Sequence, residues 1–373
     1  MRGGEKCLET FCRLYPDADL FTLLHLPGQV SPTIESMRIK TSFLQNLPLA
    51  KTHYRHFLPL MPFAIEWFDL RGYDLVLSSS HCVAKGVKVP KGTLHICYCY
   101  TPMRYIWDQY DQYFGDRNSG SPSALAMRLL APSLRRWDVR SSRRVDRFIA
   151  ISRHVQKRIE KHYGRESEVI CPPLDAQFYK PAGEHPEDFY LIVSAFAPYK
   201  RIDLAVEAFN KLGYPLKIIG EGQTASRLRK IAGPHIQFLG RLSDAEVRSH
   251  YARCRAFVFP GEEDFGITPL EAQSMGRPVI AFARGGALET VVPDRRTWTA
   301  ESGFPEEDAS HPTGVFFHEP TPDALCSAVK YFETIQDRFD PERIRLHAQQ
   351  FDVEIFSGRI RRFIGEQVQN RRC

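Results

Sequence analysis

The chain has 373 residues, 43% hydrophobic and 25% charged, which excludes a disordered or fibrous protein and exceeds what one hydrophobic core usually supports. Its formal net charge of +6 suits anionic partners such as nucleotides, phosphates or an acidic membrane surface, without choosing among them. The nine scattered cysteines fit a reducing cytosol, since the one close pair, Cys97 and Cys99, lacks metal-ligand spacing.

The N-terminus opens on Gly3-Gly4 and a helix-like stretch, where a doubly wound unit would place a strand first. The expectation is a sheet without its opening strand. Gly3-Gly4 either lets backbone approach a phosphate at a helix start or is a flexible terminus. The most apolar stretch, from Phe57, is broken by Pro59 and Pro62 well short of the ~20 residues of a spanning helix. Apolar runs at 73–80, 95–100, 147–152 and 168–173 alternate with amphipathic stretches, the pattern of βαβ units and a parallel sheet. Ser80 and His81 follow the first run, but a lone histidine is more often structural and Ser80 lacks a nucleophile elbow. Arg104 and the aromatics after Tyr98 either shape an acceptor pocket or pack. Leu134–Arg147 carries six arginines. That stretch is a solvated face, or it meets anionic lipid headgroups or nucleic acid, although its interleaved aspartates weaken both of the latter.

The polar stretch 181–188 reads as a linker. Beyond it, runs at 189–196, 216–220, 236–240, 256–260, 278–282 and 314–317 predict a second doubly wound sheet. The expected organisation is therefore a first Rossmann-like domain over 1–180, a second over 187–345, and a helical stretch at 346–373 crossing back onto the first, with a cleft between the domains. Ligands of such sheets lie beyond the carboxyl ends of the strands, so the residues just after each run carry the chemistry.

The densest motif spans Phe257–Val291. Glu263 follows a buried strand and Glu271 enters a helix eight residues later, where unpaired N–H donors and the positive dipole end favour an anionic ligand. Two plain alternatives stand beside this: Thr268, Pro269 and Glu271 form a capping box, and Glu262–Asp264 is a solvated acidic loop. Lys200 and Arg201 follow the first strand of the second half. They either neutralise a diphosphate, as a point charge and a forked donor, or are a surface pair. Gly220 and Gly222 match a dinucleotide fingerprint but follow the second strand of their half, so they read as a tight turn lining the cleft.

Together these runs resemble the family-four retaining glycosyltransferases, especially bacterial mannosyltransferases of O-antigen and exopolysaccharide assembly. GGEKCLE, YDLVLSSSH, YTPMRY, VDRFIAISRHV, VICPPLD, PYKRIDLAVEAF, FLGRLSD, EEDFGITPLEA and GGALETV carry the resemblance across nearly the whole chain. It implies an α/β protein of the GT-B type, two Rossmann-like doubly wound domains facing a central cleft, with the donor site in the second. It further implies that Glu263 holds donor-sugar hydroxyls, Glu271 the ribose, and Lys200 with Arg201 the diphosphate. Phe265, Gly266, Ile267 and Thr268 would turn their backbone to the sugar and phosphates. Two departures bear on the site: Ala195 stands where the family carries an arginine, leaving Arg201 as the substitute, and Tyr100 stands in place of a histidine as the candidate catalytic polar group of the first half.

The resulting expectation is a metal-independent hexosyl transfer without a cofactor, with retention, mannosyl from GDP-mannose, to a glycan or lipid-linked acceptor. The protein would be cytoplasmic, on the inner face of the membrane, with no nucleic-acid partner. Tyr100, Ala195 and the short N-terminus motivate the alternative of a catalytically impaired nucleotide-sugar-binding subunit.

Overall fold

A computed structural model describes residues 3–108, 110, 122–305, 308 and 310–372. The chain divides into two compact units, one comprising residues up to Pro173 together with Phe356 onward, the other Leu174–Ile355.

In the first unit the described residues open on a helix over Gly3–Leu14, and its sheet is four-stranded and parallel. Strands β3 (Leu75–Ser80), β4 (Leu94–Cys99), β5 (Arg147–Ala150) and β6 (Ser167–Val169) lie in sequence order. Every residue of β4 is buried, as expected of a central parallel strand covered on both faces. Two further strands, β1 (Asp19–Thr22) and β2 (Arg38–Thr41), form a separate parallel pair that the sequence pattern did not announce. The last helix, Val353–Arg372, joins this unit through Phe356, whose ring lies 5.6 Å from Phe11 and 5.8 Å from Tyr98. Arg359 adds a 2.6 Å hydrogen bond to the Val169 carbonyl at the sheet edge.

The second unit contains β7 (Tyr190–Val193), β8 (Leu216–Ile219), β9 (Ile236–Gly240), β10 (Ala256–Phe259), β11 (Val279–Phe282) and β12 (Gly314–Phe317). They form one parallel sheet in the order β12-β11-β10-β7-β8-β9. The chain thus winds outward from β7 to β9, returns to lay β10 beside β7, and winds outward the other way. The seam between β7 and β10 is the topological switch point, where open α/β sheets bind ligands beyond the strand ends. β10, β11 and β12 are buried throughout, and the helix Ile202–Leu212 packs Leu204, Ala205, Ala208 and Phe209 into the same core.

The boundary between the units falls at Pro173–Leu174, ahead of the polar 181–188 stretch. The reason is local: Leu174 N–H donates to the Phe351 carbonyl at 2.8 Å, Val353 N–H returns to the Leu174 carbonyl at 2.9 Å, and Ser274 Oγ donates to the Tyr179 carbonyl at 2.7 Å. These bonds tie residues 174–180 to the second unit.

Candidate functional site

The loops leaving β7 and β10 carry the charged residues singled out in the sequence. After β7 the chain makes a 3-10 turn over Pro198–Lys200, and Arg201 then adopts a left-handed conformation, φ 51°, at the start of the helix Ile202–Leu212. Left-handed backbone is uncommon for a residue with a Cβ and marks a position held by its surroundings. After β10 the chain turns through Pro260–Gly266 into the helix Ile267–Ser274. The two loops touch: a Cβ on Gly261 would lie 2.7 Å from the Tyr199 carbonyl and 2.9 Å from Lys200 Cα, so only glycine permits this approach. Across that contact the Lys200 ammonium forms a close ion pair with the Glu263 carboxylate, and both side chains are largely shielded. Arg201 points elsewhere, 3.5 Å from Asp203 and more exposed.

The loop after β11 completes this edge. Gly286 N–H donates to the Glu263 carbonyl at 2.8 Å, and Glu263 pairs with Gly285 as in a parallel strand. The backbone carrying Glu263 is therefore fixed, and its side chain is the variable part.

Helix starts in this unit differ in how they are capped. Asp244–Arg253 begins with a full capping box from Ser243 and Glu246, and Pro322–Thr334 is capped by Thr321. The helices Ile202–Leu212 and Ile267–Ser274 begin at Arg201 and Gly266 with no side-chain cap, and the shorter Ala225–Ile231 and Ala287–Thr290 also lack one. Their first N–H groups and positive dipole ends are left for another acceptor, the arrangement that binds phosphate.

Glu271 departs from its capping reading. The helix starts at Ile267, ahead of Thr268, with Gly266 as its N-cap, so Thr268 and Glu271 are displaced from the capping-box positions. The Glu271 carboxylate is instead buried and accepts a 2.9 Å hydrogen bond from Tyr251 Oη, with the Tyr179 phenol as a second partner. Burial, and then the Glu271 charge, hold both phenols well above their ordinary pKa, so they remain donors across neutral pH. Tyr251 and Tyr179 carry no sequence signal for this role, because they are distant in the chain and reach Glu271 through tertiary packing.

Gly220 and Gly222 follow β8 and brace the β7 loop. Gly220 takes φ 132° with its Cα against the Ser194 carbonyl, where a Cβ would come within 1.9 Å, and Phe196 N–H donates to the Glu221 carbonyl at 2.9 Å. Phe265, Gly266, Ile267 and Thr268 line the entry to the uncapped helix, with Phe265 buried against Phe351 at 5.9 Å.

Gly3, Gly4 and Tyr100 belong to the first unit. Tyr100 Oη donates to the Gly4 carbonyl at 3.1 Å and accepts from Ser79 Oγ at 3.0 Å, fastening the helix start to the end of β4. The arginine-rich stretch ends the helix Pro122–Ser142 and continues into β5, and it is more than a solvated face. Asp138 is fully buried and paired with buried Lys85 at 2.8 Å, while Trp107 Nε1 and Tyr163 Oη donate to it. Arg144 pairs with Glu66 at 2.8 Å. Arg136, Arg140 and Arg143 remain outward, lining a groove with Trp107 and Val139.

Comparison with known proteins follows the same division. Residues 3–178 match the family described as Glycosyltransferase Family 4, and residues 175–350 match Glycosyl transferases group 1. An uncharacterized glycosyltransferase of Methanocaldococcus jannaschii is 28% identical over 167 residues, 43% of this chain and 47% of that protein. A GDP-mannose-dependent monoacylated alpha-(1-6)-phosphatidylinositol monomannoside mannosyltransferase of Corynebacterium glutamicum is 39% identical over 89 residues, 21% of this chain and 23% of that protein. The matched stretches thus span about half of these relatives or less. The crystal structure of Anabaena HepE with UDP and glucose shares the fold, with a TM-score of 0.67 at 16% identity, covering 98% of this chain and 96% of that one. With one family matched along its first half and the other along its second, the chain belongs to the family-four glycosyltransferases of GT-B fold.

Proposed function

We propose that the protein transfers a mannosyl group from GDP-mannose to a glycan or lipid-linked acceptor, with retention and without a metal. The observation that carries the reading is the pairing of Lys200 with Glu263 at the switch point, between two uncapped helix N-termini. Lys200, assisted by Arg201 and those helix starts, would hold the diphosphate and stabilise the charge that grows on it as the glycosidic bond breaks. The backbone of Phe265–Thr268 would face the sugar and phosphates, Glu263 would hold sugar hydroxyls, and Glu271 would hold the ribose from its seat between Tyr251 and Tyr179. The electrostatic work would fall to these cationic groups.

Mannose and the guanosine base are drawn from the Corynebacterium relative. An anionic membrane surface as a further partner rests on outward Arg136, Arg140 and Arg143, which have no carboxylate partner among the described residues. No described helix is long and apolar enough to cross a membrane.

The test is incubation with GDP-mannose, with UDP-glucose in parallel, in excess EDTA, following nucleotide release and the anomeric configuration of the product by NMR. Release from GDP-mannose, with an α-linked product, is expected. Turnover only with divalent metal, or a β-linked product, would contradict the reading. Tight donor binding without turnover on any acceptor tried would favour the impaired, binding-only subunit.

A further inference from the structure

The Lys200–Glu263 pair has a consequence for the order in which donor and product are held. The two side chains are 15% and 20% exposed, so each carries much of the cost of losing its partner. Their backbones have little freedom to separate. Gly261 is wedged against Tyr199 and Lys200, and the Glu263 main chain is fastened to Gly285 and Gly286. The pair therefore opens by side-chain exchange.

The two partners are the residues assigned above to opposite parts of one ligand, the ammonium to the diphosphate and the carboxylate to the sugar hydroxyls. A free nucleoside diphosphate that takes Lys200 leaves the Glu263 carboxylate half-buried without its cation. A nucleotide-sugar takes Lys200 and, in the same event, brings hydroxyl donors to Glu263. Lysine alone would favour the product, because the freed terminal phosphate carries more negative charge than the diester of the donor. Glu263 opposes that preference.

We propose that Glu263 is an internal counter-anion of Lys200 that makes diphosphate binding conditional on the sugar, admitting the intact donor and expelling the spent nucleoside diphosphate after transfer. The proposal rests on the donor-site reading given above. Once the sugar leaves, Glu263 loses its hydroxyl partners, recaptures Lys200 and weakens the hold on the product. Glu263 thereby acts as a specificity-determining group at a step that contact with the sugar alone would not influence.

Calorimetric titration tests this, using GDP and GDP-mannose, with UDP and UDP-glucose in parallel, on wild type, Glu263→Gln and Lys200→Met, each verified as folded by circular dichroism. Glu263→Gln should bind the nucleoside diphosphate about three- to tenfold more tightly than wild type, as expected for release of a partly shielded ion pair. It should bind the nucleotide-sugar no more tightly, so the preference for donor over product shrinks or inverts. Lys200→Met should weaken both ligands. If Glu263→Gln leaves nucleoside diphosphate affinity unchanged or lowers it, the counter-anion role is overturned. The donor-site reading then survives provided that Lys200→Met still weakens binding. If Lys200→Met changes neither affinity, or wild type binds none of the four nucleotides, the site reading fails and takes the counter-anion with it.

Discussion

Glu271 shows how a single side chain changes meaning once its neighbours are in place. Threonine, proline and glutamate at 268, 269 and 271 fit a capping box, yet the helix begins at Ile267 and the carboxylate serves two buried phenols. Removing it should therefore act through those phenols. Glu271→Ala leaves Tyr251 and Tyr179 as buried donors without an acceptor and should cost about 2–4 kcal/mol in urea unfolding. Glu271→Gln keeps one acceptor oxygen and should cost under about 2 kcal/mol, while donor affinity falls about tenfold from loss of the charge. A Glu271→Ala variant as stable as wild type would mean the phenols find other acceptors. Unchanged donor affinity in Glu271→Gln would remove the residue from the ribose.

Among the elements, β4 carries a pH dependence that its position imposes. His95 is fully buried, with Nε2 2.9 Å from Ser78 Oγ, and burial pushes its pKa from 6.5 down to about 4. The folded state then binds fewer protons than the unfolded state between those values. The contribution of His95 is full above pH 6.5 and is lost as pH falls towards about 4, amounting to at most about 3 kcal/mol. His154 and His347 are also depressed by burial and add slope of the same sign. Urea unfolding at pH 7 and pH 5 should show wild type losing stability on acidification, and His95→Gln losing distinctly less. Equal losses would show that His95 does not titrate in this window.

The strands legible in the sequence, β3 to β12, lie on apolar runs, densest in β4, β10, β11 and β12, where burial on both faces demands continuous hydrophobic residues. β1 and β2 were not legible. Each is four residues long, neither has a buried residue, and Asp19, Arg38 and Lys40 supply the pairing through side-chain charge. The same contrast runs through the site. Lys200, Glu263 and the helix starts follow from strand ends, which sequence marks well. Tyr251, Tyr179 and the Gly261 contact depend on distant segments meeting, for which one sequence holds no signal.

For the whole molecule, both units carry parallel α/β sheets, yet the reversal of strand order and the charged residues of the candidate site come together in the second. The β7 and β10 loops bring a cation, a carboxylate and two uncapped helix starts together there, while Gly4 and Tyr100 close on one another at the end of β4. Nucleotide-sugar is expected to bind at that second-unit edge. Hydrogen–deuterium exchange with and without saturating GDP-mannose tests it most directly, since backbone amides at the helix starts are themselves the proposed ligands. Protection is expected to concentrate in 194–204, 260–272 and 283–290. Protection confined to 3–14 and 98–104, with those three segments unchanged, would contradict it.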